Sequence, residues 1–121
     1  MRPMALQLRR LGITAFAILI CGQLPAVADE REKVKFSEEY LADETAFALG
    51  KDLWQQQCRH CHGANAYPGK APKLKPRKYK PDFVFDRITD GFRKMPPWKD
   101  VYSLKQRKAL VAFIMNRKFR P

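Results

Sequence analysis

Cys58-Arg59-His60-Cys61-His62 sets two thiols three residues apart, with an imidazole directly after the second. On a helical turn, residues at i and i+3 share one face, so both thiols can add to vinyl groups along one edge of a porphyrin. His62 is then held over the iron, with its imidazole as the proximal axial ligand. This C-x-x-C-H spacing is the pattern of covalent haem attachment. Two other chemistries use the same residue types. Zinc wants four nitrogen or sulfur ligands in a tetrahedron. Cys58, Cys61, His60 and His62 lie within five consecutive residues, too short a loop to wrap such an ion well. A redox dithiol sits beside a βαβ pattern, and no strand-period segment stands out in this chain. The pattern favours haem over both. His60, between the two sulfurs, reads as solvent-facing.

The 121 residues suffice for one domain, and 12% aromatic content is that of a folded globule. The first ten residues carry Arg2, Arg9 and Arg10 and no acid; Leu11 to Leu24 is apolar but for Gly, Thr and Gln23; Ala26-Val27-Ala28 follows. This is the layout of a secretory signal peptide over 1–28, cleaved before Asp29. Its apolar stretch is shorter than the roughly 20 residues that a spanning helix needs. An uncleaved anchor is the competing reading, and a lipoprotein through Cys21 is disfavoured by the bulky Ile20. Export leaves Cys58 and Cys61 as the remaining cysteines and places a single small domain at 29–121 in the periplasm. So small a domain often needs a staple, metal or cofactor to complete its core.

The remaining pattern is helical. Phe36 to Gln57 has helix-spaced apolar residues and no proline, and predicts one or two helices, with Gly50 as an internal weak point of about 1 kcal/mol relative to Ala. Prolines 68, 72, 76 and 81 keep 63–81 mostly loop. Asp82 to Asp90 predicts a short helix stopped by Gly91. Ser103-Leu104-Lys105-Gln106 matches a capping box that opens a last helix to about Arg117. That helix is expected to bury one face through Leu110, Val111, Phe113 and Ile114.

The chain resembles the class I monohaem c-type cytochromes of bacteria over about residues 44–116. The resemblance lies in Gly50 and Trp54, in Cys58-Arg59-His60-Cys61-His62-Gly63, in Gly91-Phe92-Arg93-Lys94-Met95-Pro96-Pro97-Trp98, and in the last helix around Phe113. It implies an all-α small cytochrome c fold, about three to five helices around one covalently attached haem c. The first and last helices would cross, with Gly50 opposite Leu110 or Phe113. It further implies Met95, which precedes a proline, as the distal axial ligand. Met115 on the last helix is the rival methionine. A proline carbonyl would accept the His62 imidazole N–H, with Pro72 the first choice and Pro68 and Pro76 alternatives. Trp98 and Tyr79 would either donate to haem propionates or simply pack.

With His62 and Met95 both bound, iron keeps no open position, which favours one-electron transfer over catalysis: a carrier, not an enzyme. The expectation is a periplasmic one-electron carrier; the alternative is a dedicated haem c subunit of a periplasmic oxidoreductase complex. A five-coordinate haem sensor or peroxidase requires that Met95 not bind. Charge points to partners. The whole chain carries a formal +12, and six basic residues fall between Lys70 and Lys80 with no acid among them. Such a stretch is either a solvated loop or a docking surface for redox partners with acidic faces. Weak contact with an anionic membrane also fits the charge, whereas export argues against nucleic acid.

Overall fold

Ser37 and Asp43 set the first two helices. The structure, a computed structural model, describes residues 34–120; the expected leader over 1–28 and its cleavage site lie outside them. The Ser37 hydroxyl accepts the Tyr40 N–H (3.1 Å) and opens α1, Glu38–Ala42. Asp43 then leaves the helical conformation (ψ 121°), and its carboxylate accepts the Ala46 N–H (2.6 Å) to open α2, Glu44–Leu53. The break within 36–57 therefore falls at Asp43, where a capping side chain offers the backbone an alternative partner, and Gly50 stays inside the helix. From α2 the chain continues without a stop through a π-helical turn, Trp54–Cys58, into α3, Arg59–His62.

A loop with one 3₁₀ turn, Pro76–Lys78, leads to α4, Pro81–Asp90, which has proline in its first turn and stops at Gly91. The capping box forms: Ser103 Oγ accepts from Gln106 N–H (3.3 Å) and Gln106 Oε1 from Ser103 N–H (2.9 Å). It opens α5, Leu104–Met115. Among the described residues there is no strand, only an isolated bridge between Phe92 and Met95. No helix among them is long and apolar enough to cross a membrane.

The α2–α5 crossing organises the core, with α1 and α4 also packed on α5. A Cβ on Gly50 would collide with the backbone carbonyl of Ala109 and with Phe113 Cβ. Phe113 is one of the two expected neighbours; Ala109 takes the place expected of Leu110, because the closest approach is made by backbone. The single buried face expected of α5 is also corrected. Ala109 through Ile114 are all buried, since helices cover α5 on more than one side. Each large apolar side chain so buried contributes about 1.5–3 kcal/mol. Arg107 is buried with them, donating to Thr89 Oγ1 (3.0 Å) and lying over the Phe85 ring.

Candidate functional site

The turn that carries Cys58, Cys61 and His62 is held from behind by Trp54. The indole, 1% exposed, donates from Nε1 to the carbonyls of Gly63 and Ala64, each at 3.0 Å. Its ring centroid lies 5.6 Å from that of His62, and Phe113 and Phe119 pack against it at 5.8 and 5.0 Å. Gly63 ends α3 with φ +84°, where a side chain would be strained and would run into the Pro68 carbonyl. The loop is then tied back by Ala71 N–H to the Cys61 carbonyl (2.7 Å) and by Leu74 N–H to that of Ala66 (3.3 Å).

Cys58 is half-buried and Cys61 exposed, and they form no disulfide. Burial pushes the Cys58 thiol up to about 12, with a backbone hydrogen bond opposing the rise and Cys61 adding to it. Among the described residues no group of three or more His, Cys, Asp or Glu is placed to hold a metal ion. A thioether sulfur carries no charge, so the same burial puts no ionic penalty on Cys58 once it is bonded to carbon. Burial lowers the His62 pKa, which keeps the imidazole neutral and its lone pair available to a metal.

His60 is exposed, its Nε2 3.2 Å from the Gln56 carbonyl. The hydrogen bond expected from His62 to a proline carbonyl is not made. His62 Nδ1 is buried without a partner, and Pro72 is exposed, because the loop is anchored through Ala71 and Leu74.

Met95 is half-buried in the turn after α4. Phe92 and Met95 exchange both backbone hydrogen bonds (3.0 and 2.9 Å), and Trp98 N–H donates to the Ile88 carbonyl at 3.0 Å. The methionine thus sits on a closed turn folded onto the end of α4. It packs on the same core as Cys58, Leu74, Tyr79, Trp98 and Met115. Tyr79 is half-buried, its hydroxyl accepting from Lys75 N–H (3.0 Å).

Sequence reasoning passed over Tyr102. It stacks on Trp98 at 5.4 Å and 18°, and its hydroxyl is buried without a partner. Burial, and then the nearness of Cys58, push its pKa up. Phe119, beyond the last helix, was equally silent in the sequence; its edge against Trp54 has no local signal.

A family model described as cytochrome c oxidase, cbb3-type, subunit III, matches residues 45–114. The chain belongs to this cytochrome c family. No curated protein and no solved structure matches it. The cytochrome domain therefore takes haem c and serves electron transfer, with redox proteins as partners. Its residues fit that group: two thiols on one turn, a neutral imidazole, orphaned buried polar atoms on His62 and Tyr102, and a set of half-buried apolar side chains.

Proposed function

We propose that this cytochrome domain is a periplasmic one-electron carrier with a single haem c. Cys58 and Cys61 would hold the haem through thioethers, and His62 and Met95 would ligate its iron. The observation that carries the reading is the Cys58–His62 turn, where a neutral thiol and a neutral imidazole are fixed by the Trp54 indole. Haem iron, when bound, supplies the one-electron couple. The chain supplies the rest. Trp54, Gly63 and the tied-back loop keep His62 from moving between oxidation states, and the Phe92–Met95 turn does the same for the methionine. Little structure has to change as charge changes. A thioether ligand also favours the reduced state and raises the potential. The basic run from Lys70 to Lys80 steers acidic faces of redox partners, with weak anionic-membrane contact as a lesser consequence of the same charge.

A second reading, a haem c subunit of an oxidoreductase complex, is favoured by the description of the matching family. Expression of the full chain with its leader tests both. The carrier reading expects a monomer in the periplasmic fraction that begins at Asp29, carries the mass of one haem and keeps its colour when denatured. Co-purification with membrane oxidase subunits supports the second reading. Extractable haem defeats both.

A further inference from the structure

Between the 73–78 segment and the residues after α5 lies an open groove of about 440 Å³. Lys73, Lys75, Arg77 and Lys78 line one side, Arg117 and Arg120 the other, and no acid among the described residues lines it. Leu74, Met115 and Phe119 supply an apolar component. None of Cys58, Cys61, His62 or Met95 takes part. The walls are ordered: the 3₁₀ turn Pro76–Lys78 packs on α5, Lys75 N–H donates to the Tyr79 hydroxyl, and Arg120 Nε donates to the Arg117 carbonyl at 3.0 Å. Folding brings these six cations to one rim against their mutual repulsion, which an anionic occupant would relieve.

We infer that this groove binds an extended acidic segment of a partner protein, with carboxylates on the rim cations and an apolar side chain against the half-buried Leu74 and Met115. Arg clusters recognise acidic motifs in this way. A membrane surface is flat and reaches the rim without the apolar lining. A small anion would use the cations and leave the apolar side chains idle. The inference rests on the electron-transfer reading and deepens it, because it names the form of the redox partner's contact at a groove that Cys58, Cys61, His62 and Met95 do not line.

Fluorescence anisotropy on the haem-loaded protein tests it, with a labelled peptide of acidic residues flanking one phenylalanine. Saturable binding that weakens with salt is expected. The double substitution Arg117→Gln, Arg120→Gln should weaken it about tenfold, as two rim charges of up to about 0.7 kcal/mol each would. The charge-matched pair Lys51→Gln, Lys105→Gln, outside the groove, should leave it unchanged, and replacing the peptide's phenylalanine by glycine should weaken it. Equal losses from both pairs would reduce the effect to net charge and overturn the inference. So would binding to anionic vesicles that the peptide does not compete away, or no saturable binding. Covalent haem content and electron exchange with a small neutral reductant should be the same in all variants. Loss of haem in the unsubstituted protein would instead count against the electron-carrier reading.

Discussion

The indole N–H of Trp54 donates to the carbonyl of Gly63 at 3.0 Å, across nine residues, and so ties the front of the Cys58–His62 turn to its back. Ala64 shares the same donor. Trp54→Phe keeps a ring against Phe113 and Phe119 but leaves the buried Gly63 carbonyl short of its partner, a loss of about 1–3 kcal/mol. Denaturant unfolding should show a lowered midpoint with little change in slope. A midpoint equal to that of the unsubstituted protein would mean the bond contributes nothing.

Gly50→Ala should destabilise the protein despite the better helix propensity of alanine. The added methyl meets the Ala109 carbonyl, which is backbone and has no rotamer to turn away. Overpacking of this kind costs about 1–3 kcal/mol, more than the roughly 1 kcal/mol that propensity returns. Thermal unfolding of the haem-loaded protein measures the balance, and a raised melting temperature would refute the close crossing.

The two cysteines should be separable by mass spectrometry of the denatured protein. Cys58→Ala or Cys61→Ala should each leave one thioether, and the double variant should leave none and fold poorly, since a domain this small depends on its cofactor for core. A double variant that folds as well as the parent would remove the haem from the core.

Met95→Ala should abolish the weak near-infrared band of iron–methionine bonding in the oxidised protein and lower its potential. Met115→Ala should leave both in place. The reverse pattern would move the distal ligand from the Phe92–Met95 turn to α5.

What could be read along the chain was whatever depends on spacings of a few residues. The C-x-x-C-H turn, the Ser103–Gln106 capping box and the stop at Gly91 are all decided by neighbours within one or two turns, so residue types alone determine them. The Asp43 cap belongs to the same class; its short carboxylate competes for a local N–H.

Tertiary structure decided which faces meet. Unbroken burial from Ala109 to Ile114 follows from helices packing on several sides of α5, and helical periodicity carries no information about how many neighbours a helix has. Ala109 lies against Gly50 because backbone approaches backbone where no side chain intervenes. Tyr102 and Phe119 gain their places from Trp98 and from Trp54 with Phe113. The rim that joins Lys73–Lys78 to Arg117 and Arg120 exists only once the loop folds back onto α5. These contacts join residues far apart in the chain, and their free energy depends on shape complementarity between surfaces that do not exist until the helices have packed.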